Sequence, residues 1–465
     1  MKFLKRKNFI ISILFFVFAV ISVVLIIKFR KKTDNDEKET VVNVGSYDIL
    51  VYNTEPKFSE VFNKISDEYS NSSGIVVAFS DNNSDVLSDF LNNPPDIFMI
   101  KNFDEFRVQQ QYENIFDFQN SSETTFKEVM EKIPDSIKLK SNVINNCGLP
   151  LTLRGFGLAV NQDLLSSIFG EESYKNVVND LMSCSYSDFK KFVENIKFNS
   201  TTLNGNEYKI NQNAIKSLDS IFSFHIETPF GHLLNNALSE AFPTSSELMM
   251  SNNVEKLSGK ISKWMQMIDL LSSHSDPSRG SSFLNVEINS KSNAIKKFSD
   301  GKSLFLVAED SDYEEIKKQN VEASKNLIFI PLKAPFETEN ANTKLTVYCP
   351  YYFVINSKSE KLKIAQDFLT WLISSPTPQK YLIENLNFVP YNVYDMETIE
   401  NPLGRSTLTY FQCNNVLEPI FQGANNNWIS TISQYLQRIY LPLRKWNESY
   451  YKSFENYCIK RWTNS

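Results

Sequence analysis

Short apolar runs alternate along most of this chain with longer segments in which apolar side chains recur every three or four residues. The short runs predict buried β-strands, and the longer segments predict amphipathic helices. Near the start of the pattern, residues 47–52 predict a strand, residues 58–69 a helix and residues 74–79 a second strand. Strands and helices alternate in this way from residue 46 onward, which indicates an α/β fold with largely parallel sheets.

Residues 347–390 form the most informative segment. It begins with a buried strand that ends in Ile-Asn, and a helix with one apolar face follows. Ser357 can cap that helix, because Glu360 three residues later completes a capping box. Pro376 or Pro378 then begins a second short helix.

This strand–helix–helix order, closed by a proline, resembles the extracellular solute-binding proteins of bacterial ABC importers, most closely the carbohydrate-binding family 1 type. Three other segments follow motifs of that family in the same order along the chain. They are the P-D-I-F sequence at residues 95–98, the G-x-x-x-N-x-D-L pattern within residues 149–164 and the F-x-x-G-K pattern within residues 294–313. The resemblance covers residues 46–460.

The resemblance implies a type II periplasmic-binding-protein fold, in which two α/β lobes are joined by three crossover segments. A chain of 465 residues is long enough to build two such lobes. The first lobe is expected at residues 46–150 plus 350–393, and the second lobe at residues 151–349 plus 394–465. A membrane anchor at residues 1–32 and a tether at residues 33–45 are expected before them.

The anchor is predicted from residues 9–27, which are uncharged and almost wholly apolar. A helix of this length spans about 28 Å, close to the thickness of a bilayer core. The run is long for a signal peptide, no A-x-A site follows it, and no cysteine near its end offers a lipid-attachment site. We therefore expect an uncleaved, single-pass transmembrane helix, with a cleaved signal peptide as the alternative. Basic residues flank both ends, so the placement of the bulk of the chain outside the cell follows from the resemblance.

The remainder of the chain is acidic. The net charge is −6 overall and −14 for residues 33–465, which argues against binding to nucleic acid. The chain has three histidines and no H-E-x-x-H, G-x-S-x-G or phosphate-loop pattern. These features favour a binding protein over an enzyme, and we expect neither a metal nor a cofactor. The five cysteines are an odd number, which argues against a complete disulfide framework and favours buried free thiols, with one or two bridges as the alternative.

A sugar site needs aromatic rings against the apolar faces of the sugar and fixed polar groups for its hydroxyls. In α/β proteins such groups lie beyond the carboxyl ends of strands, which selects Tyr52 and Glu55 after the first predicted strand, Asn83 after the second and Asp96 at the third. Asp96 also matches the P-D motif of the family. The resemblance adds Arg154 and Tyr351 of the crossovers, and Tyr313 and Trp428 as stacking rings.

Each of these candidates has a structural alternative. The polar residues could be turn residues, Arg154 could reach only a carboxylate, and Trp428 could be a core residue at the start of a helix. Tyr351 stands where the family more often has a small residue, so the ligand is expected to be smaller or differently placed.

Together these features predict the extracellular substrate-binding component of an ABC transporter. It would capture a sugar or oligosaccharide between its lobes and deliver it to permease subunits in the membrane. One alternative is a binder of another solute, such as a peptide or polyamine. The others are a carbohydrate-active enzyme and a surface sensor without transport function.

Overall fold

The computed structural model describes residues 47–81, 95–100, 115–139, 146–250, 254–336, 339–393 and 395–462. The predicted anchor at residues 9–27 and the candidate Asn83 lie outside these ranges. Within the ranges, no helix combines the length and the apolar character that a membrane span requires.

Strands and helices alternate through the described residues, as the apolar pattern predicts. The strands are β1 (Ile49–Asn53), β2 (Val77–Asp81), β3 (Ile97–Ile100), β4 (Leu149–Pro150), β5 (Arg154–Asn161), β6 (Ser200–Leu203), β7 (Asn206–Lys209), β8 (Ser220–Ser223), β9 (Ser303–Glu309), β10 (Leu327–Ile330), β11 (Leu345–Tyr348), β12 (Tyr352–Ile355) and β13 (Val416–Leu417).

The α-helices of the same ranges are α1 (Ser59–Ser73), α2 (Thr124–Glu131), α3 (Gln162–Phe169), α4 (Tyr174–Ser183), α5 (Tyr186–Asn195), α6 (Gln212–Lys216), α7 (Phe230–Ala241), α8 (Ser245–Met250), α9 (Lys260–Ser273), α10 (Lys291–Ser299), α11 (Tyr313–Gln319), α12 (Val321–Lys325), α13 (Leu362–Ser374), α14 (Pro376–Leu386), α15 (Pro402–Gln412), α16 (Asn426–Tyr435) and α17 (Glu448–Trp462).

Two sheets define the two lobes. In the first lobe the strand order is β2-β1-β3-β12-β4. β1 runs parallel to β2 and β3, and β12 runs antiparallel to β3 and β4. In the second lobe the order is β13-β11-β5-β9-β8, with β10 also paired to β5. The two-lobed α/β fold implied by the resemblance is therefore confirmed.

The sequence placed most of these elements well and one helix start poorly. The first helix of the described residues buries one face through Val61, Phe62, Ile65 and Tyr69, and it ends at Gly74, whose φ of 74° suits a residue without a side chain. Helix α13, by contrast, begins at Leu362, so the predicted capping box at Ser357 and Glu360 is wrong. The intervening residues instead form a turn, in which Asn356 Oδ1 accepts from the Lys358 N–H at 3.0 Å.

The sheet of the second lobe is covered on both faces. Every residue of β5 is buried, and successive side chains point to opposite sides of the sheet. Phe156, Leu158 and Val160 join the main core of that lobe, whereas Ala159 joins the core that continues into the first lobe.

The chain passes between the two sheets at residues 151–153, from β4 to β5, and at residues 349–351, from β11 to β12. The predicted total of three crossovers and the predicted lobe boundaries stay predictions. All five cysteines are free thiols, and all are buried except Cys413 at the end of α15.

Candidate functional site

The crossover at residues 349–351 lies at the centre of the candidate site. Tyr348 precedes it and Tyr351 ends it, and the hydroxyls of the two residues contact carboxylates on different lobes. We call Glu55, Tyr351, Tyr348, Glu309 and His232 together the hinge floor.

On the first lobe, the hinge floor is built on the turn that follows β1. The Asn53 side chain fixes this turn, because its Oδ1 accepts from the Glu55 N–H at 2.9 Å and its Nδ2 donates to Asp81 Oδ1 at 2.8 Å. The Tyr351 hydroxyl donates to Glu55 Oε1 at 3.4 Å. The ring of Tyr351 packs on Phe58 and Phe388, with centroids 5.2 and 6.2 Å away. Glu55 is thus held at the carboxyl end of β1 with its side chain partly exposed.

On the second lobe, the hinge floor is centred on Glu309, the last residue of β9. Its Oε1 accepts from the Tyr348 hydroxyl at 2.5 Å and lies 3.2 Å from His232 Nδ1. The imidazole of His232 is surrounded by the rings of Tyr348, Phe421 and Phe156, with centroid distances of 4.6, 4.4 and 5.3 Å. The side chain of Glu309 nevertheless keeps 20 % of its surface exposed.

A buried ion pair supports the hinge floor from below. Arg154 begins β5, and its Nη1 lies 2.8 Å from Asp310 Oδ1. Asp310 is fully buried and also accepts from the Gly155 N–H and the Thr407 hydroxyl, both at 3.2 Å. Because the carboxylate is so fully hydrogen-bonded, it fixes Arg154 and holds β5, β9 and α15 in one arrangement.

The charges of the hinge floor influence each other. Burial, followed by the charge of Glu55, raises the pKa of Tyr351 to about 12, and Glu309 contributes in the same direction. Burial alone would raise the pKa of Glu309. The hydrogen bonds and charges of His232, Tyr348 and Arg154 outweigh burial, so the pKa of Glu309 lies below its ordinary value. Glu309 is therefore ionised at neutral pH, and the Tyr348 and Tyr351 hydroxyls keep their protons.

A cavity of about 90 Å³ opens between the lobes beside the crossover. Its first-lobe wall includes Asp135, Lys138 and Tyr352, and its second-lobe wall includes Ser245, Glu418 and Gln422. The Gln422 amide reaches the carbonyl of Cys349 at 3.5 Å, which connects this cavity to the crossover. The polar surface between the lobes therefore extends beyond the hinge floor itself.

A larger cavity, of about 500 Å³, lies elsewhere in the second lobe and includes Leu327, Arg405 and Tyr410 in its lining. Leu327 pairs with Asn161 at the far end of β5 from Arg154. Seven strand residues at about 3.3 Å each place the two ends of β5 roughly 23 Å apart. The larger cavity is therefore separate from the hinge floor.

The structure brings three of the sequence candidates together. Glu55 and Tyr351 are in contact, and Arg154 lies close enough for its charge to act on Tyr351. Tyr52 is the fourth residue of β1, and its partly buried ring packs against a small core of the first lobe.

The structure places three other candidates elsewhere. Asp96 precedes β3, and its carboxylate accepts from the Leu50 N–H at 2.8 Å, at the opposite end of β1 from Glu55. Tyr313 and Trp428 are 3 % and 1 % exposed, so neither ring offers a free face to a ligand in this conformation. The part of these residues in ligand binding, like that of Asn83, stays a prediction.

Sequence reasoning did not select Glu309, Tyr348 or His232. Glu309 ends β9, whose residues 304–308 are an apolar run in the sequence. The rule that directed attention to the carboxyl ends of strands could therefore have found it. Tyr348 ends β11, so the same rule applies to it. His232 lies within α7 and carries no such signal, because its place depends on the packing of that helix. Among the described residues, no group of three or more His, Cys, Asp or Glu side chains could hold a metal ion.

Solved structures share this architecture at low sequence identity. The bacterial solute receptor AcbH, which has an exclusive preference for β-D-galactopyranose, matches with a TM-score of 0.64 and 9% identity, covering 89% of this chain and 96% of that chain. A family 1 extracellular solute-binding protein from Bifidobacterium longum subsp. infantis matches with a TM-score of 0.59 and 13% identity, covering 90% of this chain and 100% of that chain. The GacH receptor of Streptomyces glaucescens matches with a TM-score of 0.56 and 12% identity, covering 90% and 98%. At such identities the likeness shows the fold.

Comparison with curated proteins found no match. The sequence profile of the bacterial extracellular solute-binding proteins, however, matches residues 76–393. That range includes every strand of the two sheets except β1 and β13. It also includes most of the hinge floor, and the family consists of binding proteins rather than enzymes. The chain therefore belongs to the bacterial extracellular solute-binding proteins.

Proposed function

We propose that this protein captures a sugar or oligosaccharide between its two lobes and delivers it to the permease subunits of an ABC importer. The hinge floor would form the base of the ligand site. The predicted N-terminal helix would hold the protein at the outer surface of the membrane.

One observation carries the proposal: a single crossover presents phenol groups to carboxylates of both lobes. The Tyr351 hydroxyl contacts Glu55 of the first lobe, and the Tyr348 hydroxyl contacts Glu309 of the second lobe. Carboxylates and phenols placed beside aromatic rings suit a molecule with many hydroxyls and apolar C–H faces. A ligand that contacts both carboxylates would also favour approach of the lobes, because ligands stabilise the conformation that they bind best.

The solved structures support a saccharide as the ligand class. AcbH prefers β-D-galactopyranose, and GacH was solved in complex with acarbose. The hinge floor also favours a saccharide. Its partly exposed polar groups are carboxylates and phenols, which suit hydroxyl groups, and its neighbouring Arg154 is already paired with a carboxylate.

Calorimetric titration of the full-length chain tests the proposal. The probes are galactose, raffinose, maltotriose and acarbose, with spermidine and a tripeptide as representatives of the other solute classes. We expect at least one saccharide to bind, and a ligand bound only by the folded state should also raise the unfolding temperature. Binding of spermidine or the tripeptide alone, or release of a cleaved glycoside, would contradict the proposal.

A matched pair of tyrosine variants locates the site. Removal of the Tyr351 side chain should weaken saccharide binding by about 2 kcal/mol or more, roughly 30-fold in affinity. Tyr450 is the control, because it is 37% exposed on α17 and distant in sequence from the crossover. Tyr450→Ala should bind as the unmodified protein does. Equal effects of the two substitutions would place the ligand away from the hinge floor.

A further inference from the structure

One acceptor position of the Glu309 carboxylate is filled by an exposed hydroxyl through a long hydrogen bond. An ionised carboxylate offers about four acceptor sites. Oε1 receives the Tyr348 hydroxyl and faces His232 Nδ1, the side chain also accepts from the Asp312 N–H, and Oε2 receives the Ser311 hydroxyl at 3.3 Å. Ser311 is exposed, so its hydroxyl is easily displaced. The position that Ser311 fills is therefore open to exchange with a ligand hydroxyl.

The carboxylate is also held in a fixed orientation. Glu309 and Asp312 are linked by two reciprocal hydrogen bonds. The Glu309 side chain accepts from the Asp312 N–H, and Asp312 Oδ2 accepts from the Glu309 N–H at 3.0 Å. Tyr348 fixes one oxygen of the side chain through a hydrogen bond of 2.5 Å. A group that is oriented before binding loses little conformational entropy when a ligand arrives.

The basic groups around Glu309 are already engaged with carboxylates. Arg154 pairs with Asp310 at 2.8 Å, Lys291 with Asp312 at 2.5 Å, and His232 faces Glu309 itself at 3.2 Å. A negatively charged ligand at this place would have to compete for them while lying beside an ionised glutamate. Like charges brought together at an interface repel each other and lower the affinity.

We propose that Glu309 is a specificity-determining residue, which accepts a hydroxyl hydrogen from a neutral saccharide and excludes acidic saccharides. This inference rests on the proposed function and adds to it the charge class of the ligand. It also gives a role to a residue that neither the sequence motifs nor the family resemblance selects.

Matched pairs of neutral and acidic sugars test the inference by calorimetry. Galactobiose is compared with digalacturonate, and xylobiose with the corresponding aldobiouronic acid, at neutral pH where Glu309 is ionised. In the unmodified protein we expect the neutral member of a pair to bind about 100-fold more tightly. In Glu309→Gln, which keeps the size and removes the charge, that ratio should fall about 10-fold or more. The control, Glu322→Gln on the exposed surface of α12, should leave the ratio unchanged.

The outcomes separate the inference from the proposed function. If acidic and neutral sugars bind equally well, or if Glu309→Gln binds the neutral sugar with an unchanged ratio, Glu309 does not set specificity, and the proposed function stands. If neither these disaccharides nor the first panel binds, both are overturned. Should Glu309→Gln fail to fold, the methyl esters of the acidic sugars decide with the unmodified protein, because they keep the shape of the acids without their charge. The esters should bind about as tightly as the neutral sugars, and esters that are rejected as strongly as the acids would overturn the inference.

Discussion

Two aromatic regions of this molecule differ in what their polar atoms contact. In the hinge floor, the hydroxyls of Tyr348 and Tyr351 contact carboxylates that are still partly exposed. In the C-terminal region, the Nε1 of Trp428 and of Trp446 each donates to a backbone carbonyl at 2.9 Å, those of Cys458 and Tyr440. The first arrangement leaves acceptor groups at a surface, and the second closes a core.

The comparison teaches that the type of residue does not identify a ligand site. Trp428 is the residue that the family resemblance favours for stacking, yet its ring is 1% exposed and meets the Trp462 ring edge-on at 4.7 Å. Tyr351 departs from the family pattern, yet it lies at the crossover between the lobes. The partner of the polar atom and the exposure of the ring distinguish the two cases.

The largest expected effect comes from Trp428→Ala. Removing this ring from the core should lower the free energy of unfolding by about 3–5 kcal/mol, which chemical denaturation measures. Saccharide affinity of the folded fraction should change much less than it does in Tyr351→Ala. Loss of binding at an unchanged unfolding temperature would instead place Trp428 in the ligand site and remove the distinction between the two regions.

A somewhat smaller effect is expected from Arg154→Met, which leaves Asp310 as an unpaired buried charge. Unpaired charges of this kind cost about 3 kcal/mol, and the unfolding free energy should fall by that amount. The double variant Arg154→Met with Asp310→Asn should recover much of the stability, because the amide is uncharged and its oxygen can still accept from Gly155 and Thr407. If the Arg154–Asp310 pair supports the hinge floor, saccharide affinity should stay low in the double variant. Recovery of both stability and affinity would show that the pair serves only to pack the lobe.

The effect that is smallest near neutral pH is a loss of stability on acidification, and it concerns His225, which follows β8 and is 3% exposed. Burial, followed by the charge of Lys291, lowers the pKa of His225 from 6.5 to about 4. The neutral form is therefore favoured in the folded state. The lowered pKa of His225 contributes fully to the free energy of unfolding above pH 6.5. This contribution, up to about 3 kcal/mol, is lost as the pH falls toward 4.

Denaturation of the unmodified protein and of His225→Leu at several pH values between 7 and 4 measures this contribution. The stability of His225→Leu should depend less on pH over that interval. Equal slopes for the two proteins would show that His225 does not carry the effect, and would leave other buried groups as its source.

Local patterns predicted the elements of the fold, and long-range pairing decided the site. The strands predicted at residues 47–52 and 74–79 are observed at Ile49–Asn53 and Val77–Asp81. They could be predicted because burial alternates between neighbouring residues of a strand, so the local sequence carries the pattern. Asp96 shows what such patterns omit. The P-D motif marks its type, but only the sheet order shows that it lies at the amino end of β3, away from Glu55.

The burial of Trp428 illustrates the same limit. It depends on α17, which supplies Cys458 and Trp462 from 30 or more residues further along the chain. Glu309 was accessible to strand-end reasoning, whereas its contacts with Tyr348 and His232 arise from three separate elements.

The distribution of thiols provides an intrinsic reporter of the folded state. Cys413 is exposed at the end of α15, whereas Cys147, Cys184, Cys349 and Cys458 are buried. A maleimide dye should therefore couple to one position per native molecule, on the second lobe, and unfolding should release the other thiols for reaction. The same cysteine offers a single attachment point for a sensor surface, since it lies in the lining of the larger cavity rather than at the hinge floor.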